Sequence, residues 1–189
     1  MQCRDIYRDG EEILNPEIGE SGPPRIVLDT NVVLDLLHFH DPDVAVIDAA
    51  IRSGRVQALT DEACLEELRR VLMYPEFSCD ASAQAALLAD YRSWVVIAGP
   101  PHATPPRAPR CSDADDQKFI DLALRSRATF LISKDKAVLR LARRFARTPD
   151  WSGCAIVAPH AFAMAARLPR DHDWSDEPAD VFNPPTGIC

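Results

Sequence analysis

The chain has no Gly-x-Gly-x-x-Gly run and no Walker sequence among its seven glycines. A nucleotide-binding Rossmann enzyme is therefore unsupported. Gly-x-Ser-x-Gly is missing too, and with it the strained elbow of a Ser-His-Asp hydrolase. Six cysteines (Cys3, Cys64, Cys79, Cys111, Cys154, Cys189) form no Cys-x-x-Cys pair, which argues against a zinc site or a disulfide framework and fits a reducing cytoplasm. Long apolar runs are lacking: the best one near the end, 155–166, is broken by Pro159 and His160, and the N-terminus is acidic without a basic leader. Neither a signal peptide nor a membrane helix is expected. No internal repeat is present.

What is there fits one domain with tails, 189 residues being enough to bury a core without staples. The formal charge of −8 is uneven: residues 1–23 carry six Asp/Glu against two Arg, and 170–189 carry five against one. Both ends are rich in charge, Pro and Gly and poor in apolar period, so 1–23 reads as an acidic extension, 24–168 as the domain and 169–189 as an acidic, proline-containing tail. With the acidity at the ends, the core is formally neutral and a nucleic-acid partner is not excluded.

Hydrophobic periodicity gives strands at about 25–29, 56–59, 94–98, 129–132 and 155–157. Helices are expected at about 32–39, 43–53, 61–73, 82–92, 113–126, 136–146 and from 158 to 167. Strands alternating with helices predict an α/β fold, a three-layer α/β/α sandwich around a parallel sheet. Between Gly99 and Arg110, prolines at 100, 101, 105, 106 and 109 make an extended surface loop.

Acids stand where chemistry is done in such folds. Arg25-Ile-Val-Leu-Asp29-Thr30-Asn31 ends a buried strand with a carboxylate, a hydroxyl and an amide, and Ser133-Lys134-Asp135 ends another. Ligands collect at the carboxyl ends of parallel strands. Helix capping is the plainer explanation of Asp29 or Asn31. In the helix after Thr60, Glu66 belongs to a solvated face, whereas Glu67 turns toward Ala63, Cys64 and Val71, where a carboxylate needs a partner such as Arg70, or a metal. After Ser112, a plausible cap, Asp116 precedes Phe119, Ile120 and Ala123 at helical spacing and so lies on the apolar face, with Asp113 one turn earlier. Such acids, with no interleaved Lys or Arg, repel one another unless cations sit among them. All-oxygen donors select hard Mg²⁺ or Mn²⁺, which suits phosphodiester hydrolysis.

Leu28-Asp29-Thr30-Asn31-Val32, Glu67-Leu-Arg-Arg-Val-Leu72, Asp113-Ala-Asp-Asp116 and Ser133-Lys-Asp135, in this order and spacing, resemble the motifs of the PIN-domain family, small metal-dependent ribonucleases that include many toxins of toxin–antitoxin modules. Cys154-Ala-Ile-Val-Ala-Pro159 resembles the family's closing strand. The resemblance implies that Asp29, Glu67, Asp116 and Asp135 are catalytic, metal-binding acids, with Asp113 auxiliary and Thr30, Asn31 and Ser133 as hydrogen-bonding support. The Leu-x-x-Val-Leu run after Glu67 and Pro75-Glu-Phe77 resemble the toxin subgroup, which implies an RNA substrate, an antitoxin partner and a homodimer. Asp35 and His38-Phe-His40 depart from that pattern. A PIN-fold subunit that binds RNA or assembles without turnover is the alternative.

His38, His40 and Asp41 lack a third ligand cluster, so a transition-metal site has little support. From Arg125 to Arg147 there are eight Arg/Lys against Asp135 alone. Within this stretch Arg140, Arg143, Arg144 and Arg147 form one helical stripe, a surface for RNA phosphates or an ordinary solvated face. Arg140 and Arg143, nearest Asp135, and Arg107 and Arg110 of the proline loop are the expected RNA contacts.

Overall fold

The structure, a computed structural model, describes residues 22–39, 41–99, 108–151 and 153–166. The acidic ends, the last turn expected at Arg167, and Arg107 lie outside these residues. Strands β1 (Arg25–Leu28), β2 (Gln57–Thr60), β3 (Val96–Ile97), β4 (Phe130–Ile132) and β5 (Ala155–Val157) form one parallel sheet in the order β3-β2-β1-β4-β5. The helices are α1 (Thr30–Leu34), α2 (Ala45–Arg52), α3 (Glu62–Leu72), α4 (Ala81–Trp94), α5 (Gln117–Arg125), α6 (Lys136–Leu139), α7 (Ala142–Arg147) and α8 (Pro159–Ala165).

The sheet is apolar on both faces because both are covered. Ile26, Leu28, Phe130 and Ile132 face a core shared with α1, α2, α3, α4 and α8, while Val27, Leu131 and Ile156 face Phe119, Ile120, Val138 and Phe145 of α5, α6 and α7. Single-residue alternation along β1 and β4 thus feeds two cores. Each fully buried Leu, Ile or Phe contributes roughly 1.5–3 kcal/mol. The three-layer α/β/α sandwich read from the sequence is the fold.

Element limits differ in instructive places. The helix expected from 113 starts at Gln117, because the Asp113 side chain accepts the Asp115 amide at 2.9 Å and holds a turn that competes with helix. Ser112 is accordingly not its cap. The 136–146 helix breaks at Arg140-Leu141, where the Leu141 amide bonds back three residues to Val138, so the proposed stripe spans two short helices. The helix expected over 32–39 ends as α1 and continues as a wide π turn over Asp35–Phe39, closed by Asp41 N–H to the Asp35 carbonyl at 3.1 Å. β3 is reduced to two exposed residues because α4 runs on through Trp94.

Asp61, unremarked in the sequence beyond starting a helix, is a strut. It caps α3 through the Cys64 amide at 2.8 Å and pairs at 2.6 Å with Arg125, which also donates to the Gly99 carbonyl. Burial alone would raise its pKa, but the Cys64 amide and Arg125 hold it below the usual carboxylate value. Asp61→Ala should remove cap and ion pair together and destabilise the domain by about 2–4 kcal/mol. Urea unfolding of the variant checks this, and a loss under 0.5 kcal/mol would contradict it.

Candidate active site

The strand order reverses between β1 and β4, the topological switch point at which doubly wound sheets open a crevice. Leu28 is in register with Ile132, so Asp29 and Ser133 are the next residues on adjacent strands. Asp29 is 2% exposed. Its Oδ1 accepts the Val32 amide at 2.8 Å, and its Oδ2 accepts the Lys134 amide at 3.0 Å and the Ser133 hydroxyl. Burial raises its pKa despite these donors. The capping explanation therefore holds for Asp29, but an ordinary cap is not removed from water.

Ser133, fully buried, serves both strand-end acids: its Oγ donates to Asp29 and accepts the Asp135 amide at 2.9 Å. Asp135 caps α6, its Oδ1 accepting the Ala137 amide at 2.5 Å. Thr30 is buried beside Leu28, whereas Asn31 is exposed, with no side-chain hydrogen bond to the acids among the described residues.

Asp116 stands at the N-cap position of α5 but makes no side-chain cap hydrogen bond. Partial burial, followed by the charges of Asp135, Asp113, Asp29 and Glu67, pushes its pKa up to about 6. The charges that act on Asp116 thus come from the ends of β1 and β4, from α3, and from the turn before α5.

Glu67 shows what sequence reasoning missed. It pairs not with Arg70 but with Lys118 of α5, although its buried Oε2 receives no hydrogen bond of good geometry. The Lys118 ammonium also donates to the Asp115 carbonyl. The cluster does contain an interleaved cation, contrary to the sequence expectation. Glu67 on the apolar side signalled the need for a partner, but pattern within one helix cannot supply one from another. Among the described residues, no three His, Cys, Asp or Glu side chains stand close enough, as placed, to hold an ion.

The basic stretch is also less uniform than its sequence. Arg125 is taken by Asp61, and Lys134 by Asp35 and Asp41 at 2.6 and 2.9 Å, hydrogen bonds that push the lysine pKa up to about 12. Arg144 lies over the Trp151 ring. Arg140, Arg143 and Arg147 are exposed, as is Arg110 at the end of the proline loop.

A parallel sheet with carboxylates at its switch point is a frame on which α/β domains place their ligand chemistry. The family model described as PIN domain matches residues 25–137, more than half of the chain, and the chain belongs to the PIN domain family. PIN domains are generally nucleases that bind RNA and use divalent metals. No curated protein and no solved structure is significantly similar to the chain. No helix among the described residues is long and apolar enough to cross a membrane.

The folded pKa of Asp116 lies above its ordinary 3.8, so its ionisation opposes folding. That cost is absent below about pH 4 and complete above about pH 6. Asp116→Asn should raise the melting temperature of the metal-free protein at pH 7 by a few degrees, leave it unchanged at pH 4, and so flatten the pH profile between them. Thermal melts at both pH values check this, and a lower melting temperature at pH 7 would mark Asp116 as a structural cap.

Proposed function

We propose that this chain is a Mg²⁺- or Mn²⁺-dependent endoribonuclease in which Asp29, Glu67, Asp116 and Asp135 are the working acids and Asp113 assists them. The observation that carries this reading is the charge crowding at Asp116, which makes no side-chain cap hydrogen bond and has four carboxylates acting on it among the described residues. Such a group calls for a proton or a cation, and oxygen donors suit a hard divalent ion. Bound there, the ion would activate water and offset charge on the leaving oxygen.

The chain's own residues do the positioning. Ser133 and the Lys134 amide fix Asp29, the α6 amides fix Asp135, and Asp116 is left uncommitted. Arg140, Arg143 and Arg110 are exposed cations for the RNA backbone, which the acids would otherwise repel. Arg107 joins them on sequence grounds. Thr30 and Asn31 complete the first motif.

The toxin role, with an antitoxin protein as partner, rests on the run after Glu67 and on Pro75-Glu-Phe77. Exposed Phe39, Met73 and Tyr74 offer apolar surface to an antitoxin or to a second copy of the chain. The four described cysteines are free thiols, in keeping with a cytoplasmic setting. One observation favours a second reading, an RNA-binding subunit without turnover: Glu67 is already paired with Lys118.

Cleavage of single-stranded RNA by the purified chain separates the two. Cleavage should need Mg²⁺ or Mn²⁺ and fall at least about a hundredfold in Asp116→Asn, as when one charge-stabilising group is removed from a hydrolytic site. Binding without metal-dependent cleavage would establish the second reading. Arg140→Glu with Arg143→Glu should weaken RNA binding and flatten its salt dependence. Unchanged affinity in a filter-binding titration would assign those arginines to plain solvation.

A further inference from the structure

Acids follow the carboxyl ends of β1 and β4, and arginines stand at the amino ends of the same part of the sheet. The two ends are separated by the length of β1, four residues or about 13 Å. Arg25 opens β1. Its register partner is Gln57 of β2, and Thr129, just before β4, donates its amide to the Arg25 carbonyl at 2.7 Å. Arg55 precedes Gln57 and Arg127 precedes Thr129, each by two residues, so three adjacent strands are each entered past an exposed arginine. The Arg25 guanidinium donates to the Ser126 carbonyl at 3.1 Å, which sets it against the residue before Arg127. Asp48 of α2 is committed to Arg52.

Arg127 holds φ 51°, the left-handed conformation that closes a helix end and that glycine adopts without steric cost. Its amide bonds back to the Leu124 carbonyl at 3.2 Å and the Ala128 amide to the Ala123 carbonyl at 2.8 Å, the two bonds of that closure. The turn after α2 has Gly54 at the same position, with φ 70°. Arg127 is exposed, and its guanidinium makes no hydrogen bond or ion pair among the described residues. A cation kept on a backbone better suited to glycine is grounds for a role of its side chain.

The chain also enters the sheet at this end. The Gln57 amide donates to the Pro24 carbonyl at 2.9 Å, and the sequence before Gly22-Pro23-Pro24 carries Asp9, Glu11, Glu12, Glu17 and Glu20, with no Lys or Arg after Arg8. Glu20 is at most about 17 Å of chain from Arg25, while neighbouring strands lie about 4.8 Å apart. A polyanion tethered that closely to a cationic surface meets it at roughly millimolar effective concentration. RNA phosphates suit the same arginines, but RNA held there would lie a strand's length from the acids.

We propose that this arginine end is the docking surface for the chain's own acidic segment, residues 9–20, which folds back onto Arg25, Arg55 and Arg127. The clasp is electrostatic and keeps the segment away from the carboxyl ends of the strands. It stands whether or not the chain cleaves RNA.

A double-mutant cycle on the full chain, read by thermal melts in low salt and in high salt, tests this. One change neutralises the segment (Asp9→Asn, Glu11→Gln, Glu12→Gln, Glu17→Gln and Glu20→Gln together); the other is Arg55→Gln with Arg127→Gln. Neutralising the segment should lower the melting temperature by about 2–4 °C in low salt, have little effect in high salt, and have none once the arginines are replaced. A cooperative melt establishes that each variant is folded, and Arg127→Gly, which suits the left-handed turn, takes the place of the arginine pair if that pair is not. An equal loss in both arginine backgrounds, or no loss in either, would overturn the proposal. So would coupling of the arginine pair to Asp171, Asp173, Asp176, Glu177 and Asp180 instead of the segment, or coupling of the segment to Arg140→Gln with Arg143→Gln instead of the pair. With the segment already neutralised, binding of single-stranded RNA should not depend on Arg55 and Arg127; a loss as large as that from Arg140→Glu with Arg143→Glu would make this end an RNA surface and overturn the proposal too.

Discussion

Asp29 is a carboxylate with almost no access to water, and it is kept there by donors from the start of α1 and from the segment that follows β4. The Val32 amide, the Lys134 amide and the Ser133 hydroxyl converge on its two oxygens. The bonds from Ser133 and Lys134 form only if β1 and β4 are adjacent and in the register that sets Leu28 against Ile132. They also locate everything else: α1 starts from Asp29, α6 from Asp135, and Ser133 joins the two acids. An unpaired buried carboxylate costs several kcal/mol, so the network binds the chemistry of the site to the pairing of the central strands.

Capping and catalysis are often offered as rival explanations of an acid at a strand end, and in the proposed enzyme they coexist. Asp29, Asp61 and Asp135 all accept amide hydrogen bonds at the starts of helices. Asp61, with Arg125 opposite, is fully accounted for by stability. Asp29 and Asp135 spend their caps on orientation, while Asp116 occupies a cap position and caps nothing. Charge left uncompensated at that one residue is strain the rest of the fold sustains.

The fold was legible because its signals are local and repeated. Apolar runs of strand length alternated with amphipathic helices, and β1, β4 and β5 fall where that pattern put them within a residue or so. Asp29, Asp135 and Glu67 were legible for the same reason, each ending a strand or facing the apolar side of a helix, whereas Asp113 and Asp116 precede the helix on which the spacing put them. What escaped were contacts between elements. Neither the Lys118–Glu67 pair nor Lys134 bridging Asp35 and Asp41 follows from spacing within one segment. The first turn of the helix expected at 113 was lost to an Asp113 side chain competing for the backbone, and the arginine stripe was split by a break at Arg140-Leu141 that no Gly or Pro announces.

The central claim is that the charge gathered around Asp116 exists to hold a divalent ion. Crystals grown with Mn²⁺ and measured on both sides of the manganese absorption edge test it most directly. The account predicts an anomalous peak bounded by Asp29, Asp116 and Asp135 that disappears in Asp116→Asn. A site free of Mn²⁺ at saturating concentration, or a peak that survives the substitution unchanged, would contradict it.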